Sequence, residues 1–167
     1  MTERAHEDGP ASMRRLEASM TAFSEHIQAL PAEVFLHRYT DWAPRDVVAH
    51  LIGWNRATQE AIGQIRRREM PPYIMDLPHD FANVNAASVQ AYSSTDRAVL
   101  LDLLGRTGAD LLAALNRLGP QDWMHDFGAR NPIRQPVFIQ RQVDGLSDDY
   151  EHHTHEMAQW LEQGSTE

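Results

Sequence analysis

Residues Ile139–Gly164 read IQRQVDGLSDDYEHHTHEMAQWLEQG. Ile139, Val143, Leu146, Tyr150, His153, Met157 and Trp160 recur there at spacings of 4, 3, 4, 3, 4 and 3. That rhythm is one apolar stripe along a long α-helix. Gly164 suits its C-terminal end. Gly145 interrupts the pattern at a cost of up to about 1 kcal/mol in helix propensity. Within the helix, Asp148–Trp160 crowds three histidines and four carboxylates into thirteen residues. A helical wheel sorts them. With His153 at zero, the stripe centres about 30° away; Asp149 lies about 70° from that centre and Glu156 about 90°, on the same side. His152 is about 130° away and His155 about 170°. His153 therefore faces the core with Asp149 and Glu156 beside it, while His152 and His155 are expected at the surface.

The same period recurs upstream. Met13, Leu16, Met20, Phe23, Ile27 and Leu30 are spaced 3, 4, 3, 4, 3, and Pro31 stops that helix. A second helix is expected from Asp41-Trp42-Ala43-Pro44, because proline suits the first helical turn. Val47, Val48, Leu51, Ile52, Thr58, Ile62 and Ile65 make its inner face. Residues 70–80, MPPYIMDLPHD, hold three prolines and read as a long loop. Phe81–Tyr92 suit a shorter helix. Ser93-Ser94-Thr95-Asp96 supply cap residues for another, carried by Leu100, Leu103, Leu111, Leu115 and Leu118 to Gly119-Pro120. A connection over Gly128–Pro136 follows, and Val137-Phe138-Ile139 is better explained by helix than by strand. The expectation is an all-α four-helix bundle with a short extra helix and long crossover loops. It forms one domain over residues 13–163, with flexible ends at 1–12 and 164–167.

Composition narrows the function. A chain of 167 residues suits one domain with one core. No apolar run is long enough to span a membrane. The opening MTERAHEDGPASMRR has no signal-peptide character, so a cytoplasmic location is expected. There is no cysteine, hence no thiolate ligand or nucleophile within the chain. The net charge of -9 argues against a nucleic-acid partner. Arg66-Arg67-Arg68 reads as a helix end, where cations suit the dipole. Nine histidines, in contrast, point to metal or proton chemistry.

Asp149 and His153, four apart on one helical face, can share a metal ion or simply a hydrogen bond. A metal needs a further ligand from another helix. His50, in DVVAHLIGW, flanks the apolar stripe of the second helix, with Trp54, Ala57 and Ala61 on that side; a core or boundary histidine is the alternative. Glu156 reads as a solvated flank or as an acid orienting a ligand.

Three stretches resemble the DinB/YfiT-like superfamily. DWAPRDVVAHLIGWNR (41–56) resembles its second-helix signature, a Trp, a helix start and Asp-x-x-x-His-Leu. DFANVNAASVQAYSSTDRAVLLDLLGRTGADLLAAL (80–115) resembles its middle section with an Asn-rich short helix. The last helix resembles its His-x-x-x-His motif. The likeness spans about Leu16 to Leu161. It implies a four-helix bundle that binds zinc or nickel, with His50 as the first ligand and His153 as the last. Asp149 falls where most members have His; related mycothiol-dependent isomerases have an acid there. A competing register, aligning Tyr150-Glu151-His152 with a Tyr-Glu-His start, makes His152 and Glu156 the pair. The first register keeps the core stripe intact.

The resemblance further implies a metal-dependent enzyme on a small-molecule substrate, with an external low-molecular-weight thiol as cosubstrate. Glu156 is then the residue to orient His153 or shuttle a proton. Trp54, Tyr73, Asn83 and Asn85 are the expected pocket wall, with the loop of Tyr73 as a lid. Related bundles often form homodimers. Two other implied functions stand beside this one: a metal-free bundle that protects cells by modifying reactive small molecules, and a non-catalytic ligand-binding stress protein.

Overall fold

The apolar stripes of the sequence become helices that bury those stripes against one another. The computed structural model describes residues 9–75 and 81–164. The helices are α1 (Gly9–Ala29), α2 (Ala32–Phe35), α3 (Pro44–Arg66), α4 (Ala82–Ala91), α5 (Arg97–Leu115) and α6 (Ile139–Gly164), with one-turn 3-10 segments at Pro72–Met75 and Pro120–Asp122. Among the described residues the β pairing is a single isolated bridge between Arg130 and Pro136. No helix of the described residues is long and apolar enough to cross a membrane.

Four long helices make the bundle. α1 packs on α6 and α5, and α3 packs on α5 and α6. The ring therefore runs α1–α6–α3–α5, and the connections α1 to α3 and α5 to α6 cross its diagonals. Leu16, Phe23 and Ile27 of α1 meet Val47, Leu51, Ile52 and Ile65 of α3 in one core with Leu100, Leu111, Ile139, Val143 and Met157. Fully burying such a side chain contributes roughly 1.5–3 kcal/mol.

Polar groups fix how the helices meet. Tyr150 donates to Asn55 Oδ1 at 3.0 Å, and Asn55 donates to Thr107 Oγ1 at 3.1 Å. These buried bonds join α6, α3 and α5. Arg97 at the start of α5 donates to the carbonyls of Ile27, Gln28 and Leu30, which closes the C-terminal end of α1. It also lies over the Phe35 ring. Arg15 of α1 forks onto Asp148 and Glu151 of α6 at 2.5 and 2.7 Å.

Helix ends largely follow the expected signals. Pro44 opens α3, and Asp46 accepts from the Ala43 N–H at 2.9 Å. The Arg66-Arg67-Arg68 run ends α3, with Arg68 at φ 66. Four readings shift. α1 begins at Gly9 rather than in the Met13 region, with Gly9 and Ser12 buried. Its early start is a tertiary effect: Gly9 lies against the Trp123 indole, where a Cβ would come within 2.0 Å. Asp96 sits at the N-cap of α5 without a side-chain bond to the helix. α5 ends at Leu115, short of Leu118. Val137 and Phe138 precede α6; Val137 N–H bonds Ala129 O at 3.1 Å, so backbone pairing holds it outside the helix. Residues 1–8, 76–80 and 165–167, which include most of the expected flexible ends and the tip of the proline-rich loop, lie outside the described residues.

α4 is too weakly amphipathic to bury a residue of its own. It rests on α3 at Gly53, where an added Cβ would lie 2.0 Å from Ser88 Oγ. That close approach sets the distance between the two helices, and so the position of Asn85 beside Trp54.

Candidate metal centre

α3 presents His50 and α6 presents Asp149 and His153 to one point. His50 Nε2 lies 2.8 Å from Asp149 Oδ2, and His153 Nε2 lies 3.3 Å from Asp149 Oδ1. The ligand atoms of these three residues lie within 4.8 Å of one another. His50 and His153 are buried at 4% and 8% exposure, so polar atoms are held together where water is scarce. Their rings meet nearly edge to face at 5.1 Å. Trp42 covers both, 4.9 Å from His50 and 6.1 Å from His153.

The electrostatics follow from this packing. Burial by itself pushes the Asp149 carboxyl up. Hydrogen bonds from His153 and His50 outweigh it and hold the group well below the usual carboxylate range. Asp149 is therefore an anion. On the far side, His153 Nδ1 lies 3.6 Å from Glu156 Oε2, and the Tyr39 hydroxyl donates to that same oxygen at 3.3 Å. Burial and the charge of Glu156 both push the Tyr39 phenol up, keeping it a proton donor.

Two imidazoles and one carboxylate suit a divalent cation of the zinc type. Nδ1 of His50 and of His153 is buried without a hydrogen-bond partner, with Glu156 Oε2 standing 3.6 Å from the latter. A second group, His152, His153 and Glu156, also lies within metal-ligand reach, but His152 is exposed.

A cavity of about 560 Å³ opens beside the trio. His50 and Asp149 line it. Its apolar wall is an aromatic group, with Trp54 packed edge-on against Tyr73 at 5.1 Å and Phe81 at 5.2 Å. Trp54 donates to Asn85 Oδ1 at 2.9 Å, and Tyr73 donates to Gln142 Oε1 at 2.8 Å. Phe81 sits at φ 50, an uncommon conformation for an aromatic residue, at the head of α4.

The structure thus brings together His50, Asp149, His153, Trp54, Tyr73 and Asn85. It does not bring Asn83, which is exposed on α4 and outside the cavity lining, because two residues along a helix turn it about 200° from Asn85. Glu156 likewise does not line the cavity. Its neighbours are His153, at 3.6 Å from Nδ1, and the Tyr39 hydroxyl. Ala57 and Ala61 are also off the lining, where Thr58 stands instead. His152, expected to be a bystander, is exposed yet reaches the cavity rim. Phe81, Arg141 and Gln142 of the lining went unrecognised. Arg141 had a signal, since Arg141, Gly145 and Asp149 are four apart and share a face of α6.

The architecture is that of a DinB-like helical bundle. Residues 16–146 match the family of the mycothiol maleylpyruvate isomerase N-terminal domain, and the chain belongs to that family. No curated protein sequence matches the chain. Among solved structures, the colibactin self-resistance protein ClbS in complex with a dsDNA is similar at 12% identity and a TM-score of 0.76, covering 92% of this chain and 95% of that one. The mycothiol-dependent maleylpyruvate isomerase is similar at 14% identity and a TM-score of 0.75, covering 93% of this chain and 63% of that one. An uncharacterised protein from Escherichia coli UTI89 has 12% identity and a TM-score of 0.74, covering 98% of both chains. At such identities the likeness concerns the fold.

ClbS corrects one expectation. Net charge had argued against a nucleic-acid partner, yet a bundle of this same fold is in complex with a dsDNA. A whole-chain sum averages acidic and basic faces, whereas contact with a duplex depends on the local distribution of charge. The charge of -9 therefore does not exclude nucleic acid.

Proposed function

We propose that the chain is a metal-dependent enzyme acting on a small molecule, a transferase or isomerase that takes an external low-molecular-weight thiol as cosubstrate. The observation that carries this is the convergence of His50 Nε2, Asp149 and His153 Nε2 beside a cavity of about 560 Å³. That volume suits a small molecule. The family description, which names mycothiol, supports the thiol. The chain has no cysteine, so any thiol must come from outside.

A zinc or nickel ion held by His50, Asp149 and His153 would lower the pKa of a bound thiol or water towards neutrality. The residues of the chain do the rest. Asp149 supplies a fixed negative charge. Glu156, steadied by Tyr39, faces His153 Nδ1 and holds the imidazole in position. Trp42 shields both imidazoles from water. Trp54, Tyr73 and Phe81 offer an apolar surface to the substrate.

Elemental analysis of protein never exposed to chelator tests the reading. About one ion per chain is expected for a single mononuclear site. It should be lost in His50→Ala and His153→Ala and kept in His152→Ala. Glu156→Gln should weaken metal affinity roughly ten- to a hundredfold. Loss in His152→Ala with retention in His50→Ala overturns the assignment in favour of the His152, His153 and Glu156 group. Protein without metal favours the metal-free self-protection hydrolase or the ligand-binding stress protein. With metal present, dependence of turnover on added thiol separates transferase or isomerase from hydrolase.

A further inference from the structure

We infer that the cavity selects a small carboxylate with a flat apolar body, and that Arg141 and Gly145 set this selection. The inference rests on the small-molecule reading of the cavity given above, and it concerns which molecule enters.

Charge around the cavity is unevenly matched. Its two carboxylates have cationic or imidazole partners: Asp148 pairs with Arg15 at 2.5 Å, and Asp149 lies between His50 and His153. Its one arginine differs. Arg141 lines the cavity and is exposed, and among the described residues it makes no ion pair. Its guanidinium lies 5.4 Å from the centre of the Phe138 ring, a contact that leaves its N–H donors available. A planar guanidinium matches a carboxylate through two parallel hydrogen bonds.

Gly145 is the second observation. It stands inside α6, two turns from its start, where glycine costs up to about 1 kcal/mol against alanine. Nothing in the fold demands it, since its φ is not left-handed and an added Cβ would meet no atom within 4 Å. The space it leaves belongs to the cavity. Arg141 and Asp149 lie one turn to either side, about 12 Å apart along the helix axis. A molecule anchored at Arg141 reaches the His50, Asp149 and His153 trio only by crossing the surface of Gly145. The wall of Trp54, Tyr73 and Phe81 then contacts its apolar body.

Calorimetric titration tests this with 3-phenylpropionate and its neutral analogue 3-phenylpropanol, in chelator-treated protein so that metal plays no part. The wild type should bind the acid at least tenfold more tightly than the alcohol. Arg141→Gln should abolish that preference by weakening acid binding at least tenfold. Gly145→Ala should melt at a higher temperature than the wild type while binding the acid at least tenfold more weakly. An Arg141→Gln protein that keeps the preference, or a wild type that binds neither probe at millimolar concentration, overturns the inference. Unchanged acid affinity in Gly145→Ala removes glycine from the account. Elemental analysis reads the trio separately. Metal retained in Arg141→Gln with the acid preference lost supports this inference, and metal absent from the wild type with the preference intact overturns only the metal-dependent function.

Discussion

Asp149 is where burial and charge compete most directly. Burial opposes its ionisation, and two imidazoles reverse the balance, so its native pKa lies below the ordinary value of 3.8. A carboxylate with a depressed native pKa contributes stability that is fully present above its unfolded pKa. That stability is lost as pH falls through the lower native value. In chelator-treated protein, urea unfolding between pH 3 and 7 should therefore show a steeper loss of stability below about pH 4 for wild type than for Asp149→Asn. Equal acid limbs would show that Asp149 carries no such coupling. Legibility in the sequence was also uneven at this scale. Asp149 and His153 could be paired because one helix repeats its faces every 3.6 residues. Tyr39 could not be matched to Glu156, because no local period links residues 117 positions apart.

α4 is placed by a contact rather than by its own hydrophobic face. Gly53 and Ser88 approach so closely that a methyl group on residue 53 overlaps Ser88 Oγ. Gly53→Ala is expected to destabilise the fold by about 1–3 kcal/mol, as overpacking does, and to displace Asn85 from Trp54. Ser88→Gly alone removes the obstacle at a cost of up to about 1 kcal/mol in helix propensity. The double variant should therefore be more stable than the sum of the single effects, as read by thermal denaturation. Strict additivity would show that the two residues do not meet. The extent of α4 was visible between turn residues, yet its docking side was not. A helix without a strong apolar stripe carries no sequence record of which face turns inward.

Across the whole molecule, the bonds Tyr150–Asn55–Thr107 join three of the four long helices in a buried chain. Tyr150→Phe leaves Asn55 Oδ1 without that donor and is expected to cost about 1–3 kcal/mol. A double-mutant cycle with Asn55→Ala should return a coupling of about 0.5–3 kcal/mol by urea unfolding. No coupling would mean that apolar packing alone sets the helix register.

The sequence by itself determined the four long helices, their inner faces and the all-α class, because each is written in spacings of three and four within a single segment. It also determined the inward turn of His153, which shares the stripe of Tyr150 and Met157. Only the tertiary structure decided the cavity. His50 meets Asp149 across a separation of 99 positions, and Arg141, Phe81 and Tyr73 come from three different segments. Those meetings depend on the ring order of the bundle and on the close seat of α4. Both arise from packing between helices, which the periodicity of one helix does not encode.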